Sequence, residues 1–315
     1  VKELASMGIP LRQIAILYRT NAQSRVFESA LMQARIPYSI VGSLHFYQRK
    51  EIKDLLGYLA CLNNPADNES ILRVINEPPR GIGQTSVNRL ISFAAKTRIP
   101  IYNALQNVDA VSELNASAKR RIGEFAAQME SWRIMAQKSP VLDLVKVIVE
   151  QLGLVALYRK SSDPKDIARA ENLIEFVSSV SEFSERSMRE EDKPPLLADF
   201  LPFVALQTDM DMVNESADSL RLMTLHNAKG LEFEAVFIVG LEEELLPHRM
   251  SMDSREEIEE ERRLFYVGIT RAKRHLYLSN ARCRRMYDTF YFAKPSHFIG
   301  EVDPLLFDQP GGEIG

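Results

Sequence analysis

The sequence predicts an α/β fold, a parallel sheet interrupted by an all-helical insertion, and three observations predict it. Apolar runs of strand length occur at Ile14–Tyr18 and again at Leu220–Leu225, Ala235–Val239 and His275–Ser279. Continuous apolar runs of about four to eight residues bounded by turn signals suit strands buried on both faces. Between Glu51 and Ser219 no convincing strand occurs, and apolar residues recur at helical spacing instead. After that break, strand, polar loop, strand, helix and strand follow in the order of an α/β domain whose ligand sits off the strand ends.

Taken in order, Ile14–Tyr18 reads as a buried strand, followed by Arg19, Thr20, Asn21 and an amphipathic helix with Val26, Ala30, Leu31 and Ala34 on its apolar face. Residues Ile36–Gly42 form a second strand candidate. Helical spacing begins with Ile52, Leu55, Leu56, Leu59 and Leu62. Further helices are expected over Val87–Ala95, Lys119–Met135, Pro140–Leu152, Asp166–Phe183 and Leu196–Leu206. Ser139 is the expected N-cap of the third of these, with Pro140 at its first position. The polar stretches Glu185–Pro195 and Gln207–Ser219 read as loops. Neither an internal repeat nor a low-complexity tract is visible.

The chain has 315 residues, 45 % of them hydrophobic, enough for two domains with real cores. No apolar run is long enough to span a membrane, and no secretory signal opens the chain. It begins at Val1, so a longer polypeptide is expected. Cys61 and Cys283 are its only cysteines and lack metal-ligand spacing, which fits a reducing cytoplasm and no zinc site. A net charge of −4 does not advertise a nucleic-acid binder, but its distribution is uneven. An acidic run, Asp253–Glu261, precedes Arg262, Arg263, Arg271, Lys273, Arg274, Arg282, Arg284 and Arg285. Such a basic block is either a phosphate-facing surface or a solvated face laced with ion pairs.

Thr224, His226, Lys229, Glu232 and Arg271 gather near expected strand ends, where ligands are met. His226 alone suits a structural role; Glu232 is either a surface carboxylate or an acceptor for sugar hydroxyls. Gly268 lies one turn before Arg271, and glycine inside a helix costs roughly 1 kcal/mol relative to alanine. Something must therefore pack close to that face. Arg271 can offer its planar fork to phosphate oxygens or pair with the acidic run upstream. In the helical part, Arg80-Gly81-Ile82-Gly83 precedes a helix start. It is either an ordinary connector or a turn that brings backbone N–H groups against a phosphate.

Together these residues form longer strings. Thr224-Leu225-His226-Asn227-Ala228-Lys229-Gly230-Leu231-Glu232-Phe233, the run Val236–Pro247, and Glu260-Glu261-Arg262-Arg263-Leu264-Phe265-Tyr266-Val267-Gly268-Ile269-Thr270-Arg271-Ala272 closely resemble motifs V and VI of the UvrD/Rep/PcrA-type superfamily 1 DNA helicases. Ala15–Arg25 resembles that family's motif IV region, Gly42–Asp54 the lead into its inserted domain, and Pro295–Ile299 its usual close. The resemblance runs from about Ile14 to Ile299.

The resemblance implies a fold and a set of roles. The fold would be a partial RecA-like (P-loop NTPase-type) domain, called 2A, over 1–51 and 219–300. An all-helical domain, 2B, would occupy 52–218, and a C-terminal tail 301–315. Arg271 would be the catalytic arginine finger and, with Gly230 and Glu232, would bind ATP, Glu232 at the ribose. Arg19, Asn21, Thr224 and His226 would face single-stranded DNA, and Arg80, Gly81, Ile82 and Gly83 the duplex at a junction. Neither a Walker lysine loop nor an Asp-Glu pair is present. In the family these parts, with Mg²⁺, belong to a preceding RecA-like domain of the same polypeptide. The chain is thus expected to be the C-terminal half of a cytoplasmic ATP-dependent 3′-to-5′ helicase of DNA repair, with repair proteins as possible partners and no hydrolysis by this half alone. A subunit of a recombination helicase-nuclease, or a non-enzymatic module binding DNA or a partner, remain as alternatives.

Overall fold

A computed structural model describes residues 1–161, 163–213, 218–286 and 289–307. The chain divides into two compact units: Val1–His45 with Met210–Gly315, and Phe46–Asp209. Of the segments expected to be loop or tail, 214–217 and 308–315 lie outside the described residues.

The first unit opens with helix α1 (Lys2–Ser6), strand β1 (Ile14–Tyr18), helix α2 (Ser24–Gln33) and strand β2 (Tyr38–Ile40). Next in the chain come the helices of the second unit: α3 (Lys50–Asn63), α4 (Asn68–Val74), α5 (Gln84–Thr97), α6 (Ile101–Gln106), α7 (Ala116–Ala136), α8 (Val141–Leu152), α9 (Leu154–Arg159), α10 (Pro164–Glu191) and α11 (Leu197–Val213). The first unit resumes with β3 (Leu220–Thr224), β4 (Phe233–Val239), α12 (Arg255–Ile269), β5 (Ala272–Ser279), the strands β6 (Cys283–Met286) and β7 (Thr289–Phe292), and α13 (His297–Gly300).

Among the described residues β1 to β5 form one sheet in the order β2-β3-β1-β4-β5, every neighbouring pair parallel. Alternate side chains of a strand point to opposite faces, and the two cores follow that rule. Ala15, Leu17, Met223, Val236 and Ile238 pack with Leu264 and Phe265 of α12 and Phe298 of α13. Ile14, Ile16, Tyr18, Leu222 and Ala235 pack with Leu4 of α1 and Leu31 of α2. Two covered faces explain why β1, β3 and β4 are apolar almost throughout. β5 departs from the expectation. It is an edge strand paired only with β4, and Leu276 and Tyr277 are exposed.

α2 also turns differently from its apolar pattern. Val26 and Ala30 are exposed, while Ser24, Arg25 and Glu28 are buried. The Ser24 hydroxyl donates to Glu28 at 2.5 Å, and His45 Nδ1 lies 3.5 Å from the same carboxylate.

In the second unit, Trp132, Tyr58, Phe46, Phe125, Phe176 and Phe200 are the largest fully buried side chains among the described residues. Tyr58 meets Trp132 edge-on at 5.7 Å, and the Trp132 indole N–H donates to Gln151 at 2.8 Å. Two helices outrun their expected ends: α10 continues through Glu185–Glu191 and α11 through Gln207–Val213. Glutamate and arginine are good helix formers on a solvated face, so polarity alone did not end α10. α8 begins at Val141, with Pro140 rather than Ser139 in the capping position.

Candidate functional site

In a parallel sheet the strand directions sort loops to two ends, and here they sort the candidate residues. Arg19, Asn21 and His226 follow β1 and β3, at the carboxyl ends of the strands. Glu232 and Arg271 precede β4 and β5, whose first residues pair as Phe233 and Ala272, and so lie at the amino ends. The sequence placed these residues off one set of strand ends. The structure separates them into two groups, because the segment Leu225–Glu232 crosses the sheet from the end of β3 to the start of β4. Leu225 and Ala228 bury themselves in the core during that crossing.

At the carboxyl ends, the Arg19 guanidinium grips the buried Glu261 carboxylate of α12 with Nε at 2.9 and 3.0 Å and Nη2 at 2.6 Å. Glu261 also accepts from the His248 backbone N–H at 3.1 Å and from the Ser251 hydroxyl at 3.3 Å. Burial pushes the Glu261 carboxyl up, but the Arg19 hydrogen bonds and charge outweigh it and hold the pKa below its ordinary 4.5. The Nε edge of Arg19 is therefore engaged inward by Glu261. Asn21 Oδ1 is buried without a hydrogen-bond partner among the described residues. Thr224 is buried, and its hydroxyl accepts from the Asn227 N–H at 3.3 Å, so it shapes the turn instead of facing outward. His226 reaches the surface. Loss of water around the ring, then the Arg19 charge, hold its pKa below 6.5 against the pull of Glu261 and Glu260. The turn is braced from β2: Gly42, at φ +75°, leaves room for the Asn227 side chain, whose amide donates to Val41 O at 3.2 Å.

At the amino ends, Arg271 is held by its own neighbourhood. Nε donates to Val267 O at 2.9 Å, Nη1 to Leu231 O at 3.0 Å, and Nη2 to the Thr270 hydroxyl at 2.9 Å. A guanidinium carries five N–H groups, so two remain. The expected pairing of Arg271 with the acidic run upstream is not what holds it. Gly230 adopts φ +85°, and Leu231, whose carbonyl holds Arg271, follows directly. The Glu232 side chain is largely exposed, 4.0 Å from Lys273 Nζ. Lys229 is exposed. Gly268 explains itself: a Cβ there would run into Leu225 Cδ2 and lie 3.0 Å from Ile238 Cδ1.

The second unit holds the remaining candidates. Arg80 donates to Val74 O and Pro78 O, each at 3.1 Å, and to Tyr58 OH at 2.6 Å, with its guanidinium 4.7 Å over the Phe125 ring. Ile82 is 2 % exposed. Both side chains anchor the turn inward. Gly81 and Gly83 are exposed. Gly81 sits at φ +69° with its carbonyl accepting from Arg121 at 2.7 Å, and Asn76 Oδ1 takes the Arg80 and Ile82 N–H groups at 2.8 and 3.2 Å. Gly83 caps α5, whose first turn carries no acidic residue. The first N–H groups of a helix have no partner within it, and they suit an anion.

Residues 1–283 match the UvrD-like helicase C-terminal domain. The chain belongs to that family. It is 41 % identical to the ATP-dependent DNA helicase PcrA of Bacillus subtilis (strain 168), over 94 % of this chain and 40 % of that protein. It is 40 % identical to the ATP-dependent DNA helicase PcrA of Leuconostoc citreum, over 93 % and 39 %, and 38 % identical to the DNA helicase II of Escherichia coli (strain K12), over 96 % and 42 %. The chain thus spans about two fifths of the length of the curated relatives it matches.

Sequence reasoning missed several parts of this UvrD-like domain. Glu261 was one charge in an acidic run, and only the fold reveals it as the partner of Arg19. Thr270 and the Leu231 carbonyl became visible only through Arg271. The antiparallel hairpin β6–β7 was also missed. It follows the carboxyl end of β5 and exposes Phe290 (63 %) and Phe292 (89 %). Arg284 ties its base to buried Glu242, which also accepts from the Ala281 N–H at 2.6 Å. A basic cluster, Arg282, Arg284 and Arg285, followed closely by the aromatic run Phe290-Tyr291-Phe292 is the signal that would have found it. The Arg285 side chain lies outside the described residues.

Proposed function

We propose that this chain is the DNA-tracking and phosphate-sensing part of an ATP-dependent DNA helicase moving 3′ to 5′, with Arg271 as its arginine finger. One observation carries the reading: a guanidinium with three N–H groups anchored and two left over stands at one end of a sheet whose other end presents candidate DNA groups. Two N–H groups on one planar cation suit phosphate oxygens, and the exposed Glu232 carboxylate suits a ribose hydroxyl. These residues fit those two parts of ATP, whose hydrolysis would supply the free energy for movement. Mg²⁺ would be held by the N-terminal RecA-like domain of the same polypeptide.

At the carboxyl ends, Asn21 and His226 would meet a passing single strand, and the exposed Phe290 and Phe292 rings would offer faces for base stacking. In the second unit, Gly83 and the start of α5 would meet duplex phosphates, contacts that position without reading bases. A site for each DNA form supports action at a junction between single and double strands. The N-terminal RecA-like domain of the same polypeptide would complete the nucleotide cleft, and a role in repair is the family expectation.

The test uses the full-length polypeptide and its hydrolysis of ATP with single-stranded DNA. Arg271→Ala should lower kcat by roughly 10³-fold, with nucleotide affinity little changed, and Arg271→Lys should not restore it. A folded Arg271→Ala protein with parental kcat would return Arg271 to a structural role.

A further inference from the structure

We propose that Thr270 is a positioning residue for Arg271, its hydroxyl setting the plane of the guanidinium so that the two remaining N–H groups face outward as a fork. The proposal rests on the reading of Arg271 given above.

α12 ends at Ile269, and the chain makes one more turn, with the Thr270 N–H bonded to Tyr266 O at 3.0 Å and the Arg271 N–H to Gly268 O at 3.1 Å. The Thr270 hydroxyl donates to Val267 O at 2.9 Å. Its single hydrogen is thereby used, and toward Arg271 Nη2 the oxygen can only accept. Val267 O receives Arg271 Nε as well. Val267 O, Thr270 Oγ1 and Arg271 thus close a ring of three hydrogen bonds along one edge of the guanidinium, and Leu231 O holds Nη1. The two carbonyls alone would leave Nη2 without an anchor on that edge.

Burial does not account for this threonine, which is exposed. Valine would copy its shape and supply no acceptor. No basic residue lies in the last turn of α12 itself. A finger that must meet charge developing on a phosphoryl group gains from being oriented beforehand, so loss of the anchor should appear in turnover before it appears in binding.

The experiment has two arms. In the chain described here, NMR measures rotation of the Arg271 guanidinium about its Cζ–Nε bond in the parent, Thr270→Ser and Thr270→Val proteins. Rotation should be faster in Thr270→Val and parent-like in Thr270→Ser. In the full-length polypeptide, Thr270→Val should lower the DNA-stimulated kcat roughly ten-fold, as for a lost hydrogen bond to a charged group. Nucleotide affinity should hold within about two-fold in the same comparison, since orientation acts on the reacting state. Thr270→Ser should restore turnover, and Thr270→Val should add nothing in an Arg271→Ala background. Unchanged rotation together with unchanged kcat overturns the proposal, as does an equal loss of kcat with and without Arg271. If Arg271→Ala itself keeps its kcat, the finger reading fails, and rotation alone then decides whether Thr270 positions the side chain.

Discussion

Arg19, at the carboxyl end of β1, and Glu261, on α12, hold each other in a largely buried two-pronged ion pair, with side chains 19 % and 6 % exposed. The pair joins the strand end that carries Asn21 to the helix that ends beside Arg271. Removing one partner from a buried pair leaves a charge that water cannot reach, which typically costs about 3–5 kcal/mol. Arg19→Ala should therefore lower unfolding stability by roughly 3 kcal/mol. The double variant Arg19→Gln with Glu261→Gln, which strands no charge, should lose much less. Denaturant titrations of the three proteins measure both. An Arg19→Ala protein that unfolds at the parental midpoint would show that the pair carries no stability.

Acid should weaken the first unit with a defined sign. Glu261 is held below its ordinary pKa of 4.5, so its stabilising contribution is complete above that value and is lost as pH falls through the lower folded value. His226, held below 6.5, acts in the same direction in its own range: its contribution is complete above 6.5 and declines as pH falls through its folded value. Thermal midpoints between pH 7 and pH 3 should fall in two stages (the choice of range is set by these two reference values). His226→Gln should flatten the upper stage and Glu261→Gln the lower. A Glu261→Gln profile as steep as the parent's below pH 4.5 would assign the acid limb to other carboxylates.

Gly268 is where α12 comes down on the sheet. On propensity alone, Gly268→Ala should stabilise a helix by about 1 kcal/mol. The contact argues the opposite. The added Cβ meets Leu225 and Ile238, both fully buried, and overpacking a filled core costs typically 1–3 kcal/mol. The expected net effect is destabilisation, seen as a lower denaturation midpoint. Leu225→Val, which trims the group in the way, should recover part of it. A stabilised Gly268→Ala protein would mean that α12 can lift from the sheet at little cost.

The parts of this fold legible in the sequence were those buried on both sides. β1, β3 and β4 are covered above and below, so their apolar runs are nearly continuous and their positions easily read. β5 looked the same in sequence, yet it lies at the edge and exposes Leu276 and Tyr277, because position in the sheet is set by pairing and not by the strand's own residues. α2 keeps Leu31 in the core but exposes Val26 and Ala30, because Ser24 and Glu28 are buried against each other, a polar contact that an apolar period does not encode. At the candidate site, motif strings named Arg271 and Arg19 correctly as charged residues set in strand-end loops. What each side chain touches was not legible. Thr270 and Glu261 bond to these arginines, one across a single peptide and the other across most of the chain, and only the folded geometry distinguishes them from other polar neighbours.

The turn before α5 allows a test that separates charge from shape. Gly81 is a poor site for it, since φ +69° strains any other residue and Arg121 lies 2.6 Å from where a Cβ would be. Gly83 is a good one: its φ is −71°, its ψ 158°, and nothing lies within 4 Å of an added Cβ. Those angles suit a capping side chain, and aspartate and asparagine cap helices about equally well. Gly83→Asp and Gly83→Asn should both leave stability within about 1 kcal/mol of the parent, with any change toward greater stability. They differ only in charge. If the α5 N-terminus meets duplex phosphates, Gly83→Asp should weaken binding of a duplex with a single-stranded tail by about ten-fold at low salt, and the gap should close as salt rises. Gly83→Asn should stay near the parent, and binding of single-stranded DNA should be unaffected in both. Fluorescence anisotropy across a salt series measures all of these. Equal affinities for the tailed duplex in parent, Gly83→Asp and Gly83→Asn would make the turn a plain connector, and an equal loss in both variants would trace the effect to bulk instead of charge.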